Sequence, residues 1–369
     1  MIEILYNLWG IIGIIIIFLI LGHYLISVLI YIQQHAVFNH FVKNRPATYP
    51  ETPDDFWLEQ KRLMFKSQYR PLAPYFHWQG KEFHSKYINV DSDGLRRTIK
   101  SPKAGAKKVF VFGGAGVWGT FVPDSQTIPS YLQSFLGQDY DVYNSTSGGG
   151  HSSTQELNFL LYNLALGNVP DIVIFYEGIV DSYAGTFDPA IPRFPRGVKG
   201  QIPEVKIANT NFLSDLYNES NYPSLVRYIF TRFNFNFRDN EIKSNIDKNA
   251  QQVVSFYEAH IKQVKALGKE YGFQAFFFWQ PNLLSLTKKY SPYEKRLVEG
   301  YSDTLIKSQN QVYTYAKEQF SNRESENIYF AGNIYDDVGD PIYFSWDHFC
   351  ANANIVATKE IYEHIKEQI

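Results

Sequence analysis

The sequence predicts an α/β domain, a mostly parallel sheet flanked by helices on both faces, preceded by one transmembrane helix. Two observations carry that reading. Short runs rich in β-branched and aromatic residues alternate with longer amphipathic stretches, the order expected of a parallel sheet wrapped by helices. Ahead of them Trp9–Ile32, WGIIGIIIIFLILGHYLISVLIYI, contains no Asp, Glu, Lys or Arg and is long enough to cross a hydrocarbon core. Composition agrees with a folded chain: of 369 residues, 45% are hydrophobic and 20% charged. A net charge of −2 gives no basic excess, so nucleic acid is not an expected partner. The single cysteine, Cys350, excludes an intrachain disulfide framework and any multi-cysteine metal site.

The apolar run reads as a membrane anchor for two reasons. A buried core helix rarely stays apolar on every face for this length, and a cleaved signal peptide has a shorter apolar region behind a basic start. His23 within it reads as a helix–helix hydrogen-bonding residue. Lys43 and Arg45 follow the span and no basic residue precedes it, a bias that favours a cytoplasmic domain. Residues 33–85, punctuated by Pro46, Pro50, Pro53, Pro71 and Pro74, form a juxtamembrane collar with one helix near Asp55–Gln68, capped by Asp54 or Asp55.

The remaining chain, 86–369, is the α/β domain. Lys108–Phe112 is a buried strand running into Gly113-Gly114. Thr127–Leu136 is a helix and Asp141–Asn144 a strand, followed by the glycine-rich STSGGGHSS. Thr154–Leu166 is a helix and Ile172–Tyr176 a buried strand. Residues 184–245, rich in Pro, Asn and aromatics, interrupt the pattern as an insertion. A helix over Asp247–Tyr271, a strand at Gln274–Trp279, a helix over Tyr293–Glu318, a strand at Asn327–Phe330 and a helix over Asn354–Glu367 complete it. Ligands of such sheets bind beyond the carboxyl ends of the strands, which here are the loops Gly113–Gly119, Ser145–Ser152 and Glu177–Asp181.

Four segments then fall into order: INVDSDGLRR (88–97), VFVFGGAGVWG (109–119), VYNSTSGGGHSSTQEL (142–157) with IFYEGIVDS (174–182), and PIYFSWDHFCANANIVA (341–357). Together they resemble the SGNH/GDSL hydrolases, in particular the membrane-tethered or secreted bacterial branch associated with envelope polysaccharides. The resemblance implies a flavodoxin-like hydrolase fold and assigns four catalytic positions. The nucleophilic serine falls on Ala115, next to Gly114. Oxyanion donors fall on Gly149 or Gly150 and on Val180, where the family has Asn. His348 matches the base, and Ser345 stands where its orienting Asp belongs. Asp347 is adjacent, but neighbouring residues usually point different ways from a turn, so it is not expected to substitute. An alanine methyl forms no acyl-enzyme, and loss of one oxyanion donor costs roughly 3–4 kcal/mol of barrier.

Three functions follow. The first is a membrane-anchored pseudohydrolase that binds an acylated glycan or an envelope enzyme partner. The second is an esterase or O-acyltransferase with a displaced nucleophile from Ser145, Ser147 or Ser152 and His348 as base. The third is a structural subunit of a membrane complex. Pocket candidates are Gly114, Ser147, His151, Glu177, Asp181 and Asp347. Glu177 and Asp181 flank one turn as potential paired carboxylates, although helix capping is the plainer role for Asp181. No metal spacing appears and no cofactor is called for. Family context favours an extracytoplasmic domain against the Lys43/Arg45 bias, so the side of the membrane stays open.

Overall fold

The computed structural model describes residues 2–43, 45, 54–65, 69–73, 77–146, 150–187, 245–285, 287 and 289–369. The N-terminal helix and the α/β domain belong to separate compact units and are described separately.

Helix α1 runs over Ile2–Lys43. Within it Trp9–Leu29 is long and apolar enough to cross a membrane. Its large apolar side chains, Trp9, Phe18, Leu21 and Leu25 among them, stand exposed on all sides of the helix. Such an all-round apolar surface is stable in lipid and costly in water. The helix continues well past Ile32, so the first part of the expected collar is helical and not irregular. The Ser27 hydroxyl donates to the His23 carbonyl, closing one turn within the span.

In the α/β domain, α2 covers Asp54–Phe65, close to the expected helix. Two antiparallel strand pairs follow that the sequence did not suggest. They are β1 (Tyr69–Ala73) with β2 (His77–Gly80), and β3 (Phe83–His84) with β4 (Asn89–Val90).

The main sheet has five parallel strands: β5 (Lys107–Phe112), β6 (Tyr140–Asn144), β7 (Ile172–Glu177), β8 (Gln274–Trp279) and β9 (Ile328–Phe330), in spatial order β6-β5-β7-β8-β9. Both faces are buried, so the strands read as continuous apolar runs; every residue of β7 is buried. One face presents Phe110, Phe112, Val173, Phe175, Phe277 and Trp279. These pack on α5 (Ser153–Ala165), α7 (Ile246–Tyr271) and α9 (Asp303–Phe320), through Leu160, Val253, Tyr257, Val312 and Phe320. The opposite residues Val109, Val111, Ile174 and Phe276 are equally buried, and α4 (Ile128–Leu136) and α10 (Ala351–Ile365) pack together there. Each fully buried large side chain contributes roughly 1.5–3 kcal/mol.

Two expected boundaries change. The helix read over Tyr293–Glu318 is two, α8 (Pro292–Glu299) and α9. Gly300 weakens the helix and Ser302 starts a new one, its hydroxyl accepting from the Leu305 N–H. Helix α6 spans Ile179–Phe187, so the insertion begins later than residue 184. The rest of the expected insertion, 188–244, lies outside the described residues.

Gly178 joins β7 to α6 with φ at 122°, and a Cβ there would lie 2.7 Å from the Trp279 ring. Backbone strain and overpacking each cost about 1–3 kcal/mol. Gly178→Ala therefore lowers unfolding free energy by about 2–5 kcal/mol in chemical denaturation, whereas a loss below about 1 kcal/mol would show that Trp279 moves aside freely.

Candidate functional site

The carboxyl ends of β5, β6, β7 and β8 come together on glycines. A Cβ on Gly113 would meet the Tyr176 carbonyl at 2.6 Å, so the turn leaving β5 lies directly against the end of β7. Thr146, just past β6, locks that turn: its hydroxyl accepts from the Gly113 N–H at 3.1 Å and donates to the Gly113 carbonyl. The chain then enters the short helix α3, Ala115–Trp118, with Ala115 as its first residue.

Around this turn the structure gathers most of the expected residues. Val180 packs on Gly114, with a methyl 2.8 Å from where a Gly114 Cβ would stand, and the His151 carbonyl lies 3.7 Å from the same point. Phe349, next to His348, covers Gly116. Ala115, Val180 and His151 are all buried, so the nucleophile and side-chain oxyanion positions of the resemblance form an apolar floor. Gly150 is partly buried ahead of His151. Gly149 and Ser147 lie outside the described residues.

His348 sits in a tight loop, closed by the Phe344 N–H bonding the His348 carbonyl at 2.8 Å. Asp347 corrects the sequence expectation. Its Oδ1 lies 2.9 Å from His348 Nδ1, and Ser345 Oγ lies 2.6 Å from the same nitrogen while donating to Asp347 Oδ1 at 2.7 Å. The loop is tight enough to bring neighbouring side chains onto one side. An ionised Asp347 accepts only, and the Ser345 proton is already committed to it, so the network assigns the ring proton to Nδ1. That leaves Nε2 with its lone pair, the tautomer a general base needs. Ser345 thus bridges Asp347 and the imidazole.

The other face of His348 meets Phe121, ring centroids 5.1 Å apart and edge-on. Phe121 is held at a φ of 69°, uncommon for a bulky residue. Its loop is pinned by Arg96, a fully buried guanidinium that sequence reasoning passed over although it lies in the first motif. Arg96 donates to Asp124 at 2.9 Å and to the carbonyls of Trp118, Gly119 and Val122, and lies over the Trp118 ring. Burial lowers its pKa and Asp124 opposes that shift.

Below the turn are three buried carboxyls on three elements: Glu156 on α5, Glu177 at the end of β7 and Asp181 on α6. Asp181 accepts from the Ser153 N–H at 3.1 Å and the Ser153 hydroxyl at 2.7 Å. It therefore caps the first turn of α5 rather than its own helix. Ser153 Oγ also lies 2.8 Å from His260 Nδ1. Glu177 pairs with Glu156, not with Asp181. Burial first, and neighbouring negative charge after it, pushes Glu156 well above the usual carboxylate range, and burial raises Glu177. Glu156, Ser153 and His260 were missed because each sits on an ordinary amphipathic helix. No cluster able to hold a metal occurs among the described residues.

Fold and site together define an α/β domain with the His348 imidazole held beside the turn at the carboxyl edge of a parallel sheet. No protein-family model and no curated protein matches the chain. Among solved structures it is similar to a proposed acylhydrolase from Bacteroides fragilis at 14% identity, covering 73% of this chain and 91% of that one, with a TM-score of 0.33. It is also similar to the acetyl xylan esterase AlAXEase at 11% identity, covering 70% and 99%, with the same TM-score.

Removing one partner from a buried ion pair costs about 3–5 kcal/mol, while replacing both with apolar residues is often neutral. Arg96→Met is expected to destabilise the domain by that amount in denaturant titration, and adding Asp124→Leu to recover most of it. An Arg96→Met variant as stable as the parent would show that the pair does not hold the loop.

Proposed function

We propose that this chain is a membrane-anchored, SGNH-hydrolase-like protein that binds an acylated ligand without forming an acyl-enzyme. The observation that carries the reading is the apolar floor of the turn, where Ala115 and Val180 stand at the nucleophile and oxyanion positions. An apolar floor suits an acyl group, and an oriented imidazole beside it suits a hydroxyl or ester oxygen. The envelope association of the resembling branch makes an acylated glycan the ligand class to try first. An envelope enzyme that handles the same acyl group is the partner class. Helix α1 supplies the anchor.

A second reading has one observation in its favour. The Asp347–Ser345–His348 network leaves a competent base, which can act on water or on an acceptor hydroxyl with no protein nucleophile. A displaced serine has less support. Among the described residues the His348 side chain hydrogen-bonds only Ser345 and Asp347, and Ser145 and Ser152 are buried elsewhere in the turn.

Aryl-acetate hydrolysis by the purified chain distinguishes the readings. The wild type is expected to show no turnover above His348→Ala. Ala115→Ser restores a hydroxyl at the turn and is expected to create turnover that His348→Ala abolishes. Val180→Asn in that background is expected to add a further factor of about 10²–10³. Wild-type turnover lost in His348→Ala would sink the binding reading in favour of the second.

A further inference from the structure

Among the described residues no Lys or Arg pairs with the three buried carboxyls. Glu156 and Glu177 are fully buried and Asp181 nearly so. Every donor to them among the described residues is neutral. Asp181 has the Ser153 N–H and hydroxyl, while Glu177 Oε2 has only the Gly178 N–H at 3.3 Å. The Gly113 N–H, already bonded to Thr146, also faces Glu156. Both Glu156 oxygens and Glu177 Oε1 are buried and lack a hydrogen-bond partner as carboxylates, and the two side chains lie near enough to shift one another's titration. Two ionised carboxylates in contact inside a protein repel strongly and have lost their water. One proton between them turns the same contact into a hydrogen bond.

Among the described residues the groups that face the pair offer no compensating positive charge. Asp181 adds a negative charge from α6. His260 on α7 is held toward its neutral form by burial, with Asp181 opposing. Tyr257 on α7 and Tyr313 on α9 are neutral phenols whose pKa burial raises further.

The position of the pair gives the proton a consequence. Glu156 lies in the first turn of α5, directly after the glycine-rich loop, and Glu177 carries the Gly178 turn on which Val180 rides. We propose that Glu156 and Glu177 form a proton-dependent latch that holds the start of α5 and the Gly178 turn together beneath the candidate site. With the proton present, COOH···⁻OOC ties the two elements. Loss of that single proton leaves two carboxylates and drives them apart, loosening both loops. The latch belongs to the scaffold and does not depend on what the site binds.

The sign of the pH dependence follows. The folded chain keeps the proton above the ordinary carboxylate range and the unfolded chain releases it. The folded state therefore binds more protons, and its stability falls as pH rises. Between the ordinary carboxylate range and the pair's own raised pKa, each pH unit favours the proton-releasing open form by up to about tenfold, and above it the ratio levels off.

The test is hydrogen exchange on the full chain in detergent, comparing wild type with Glu177→Gln and Glu156→Gln, which keep the shape but cannot ionise. From about pH 6 to about pH 9, wild-type protection in residues 150–156 and 178–182, corrected for intrinsic exchange, is expected to drop about tenfold or more. Neither Gln variant is expected to show the drop. Flat wild-type protection, or an equal drop in both variants, overturns the latch. If neither variant folds, the infrared carbonyl band of a protonated carboxylic acid decides. The latch requires it in the wild type at about pH 6 and its decline toward about pH 9, and its absence at the lower pH overturns it.

Discussion

At the carboxyl edge of the sheet there is no room for a side chain where β5 and β7 end. A Cβ on Gly113 would collide with the Tyr176 carbonyl, and one on Gly178 with the Trp279 ring. That shortage of space sets the site. Because the two turns pack backbone against neighbour, Val180 is carried onto Gly114, Phe349 onto Gly116, and Thr146 onto both polar groups of Gly113. Segments from four parts of the sequence therefore converge within one turn's breadth, and His348 is brought in with the loop that Phe349 anchors. Close-packed interiors transmit such constraints because they have few alternative packings.

The chemistry that results is uneven. The base side is well built: Nδ1 of His348 is engaged by Ser345 and Asp347, and the ring is edged by Phe121 from a loop that Arg96 clamps. The opposite side of the turn presents only the apolar side chains of Ala115 and Val180.

Much of the fold was legible in the sequence because each β-branched or aromatic run is buried on both faces and each glycine pair marks a strand end. Val109, Val111 and Ile172–Tyr176 announce a parallel sheet without help from tertiary structure. The helix expected over Tyr293–Glu318 failed because Ser302 competes for the backbone as a cap, a local effect that apolar periodicity does not register. The site was legible in its positions but not in its contacts. Neighbouring side chains usually point apart, but the five-residue loop closed by Phe344 and His348 brings Asp347 back onto His348, with Ser345 as the bridge. The carboxyl cluster left the weakest trace. Glu177 and Asp181 drew notice as neighbours in the chain, but Glu156 and His260 join them only through packing between α5, α6 and α7, which no spacing encodes.

The proposed function rests on an oriented His348 imidazole with no protein nucleophile beside it. Its most direct test is exposure of the intact chain to a fluorophosphonate, which phosphonylates a serine only when a neighbouring base activates it, followed by mass measurement of the whole protein. The account predicts no adduct on the wild type and one adduct on Ala115→Ser. A stoichiometric adduct on a wild-type serine, within 145–153 or elsewhere, would contradict it and establish an active nucleophile that the turn at Ala115 does not supply.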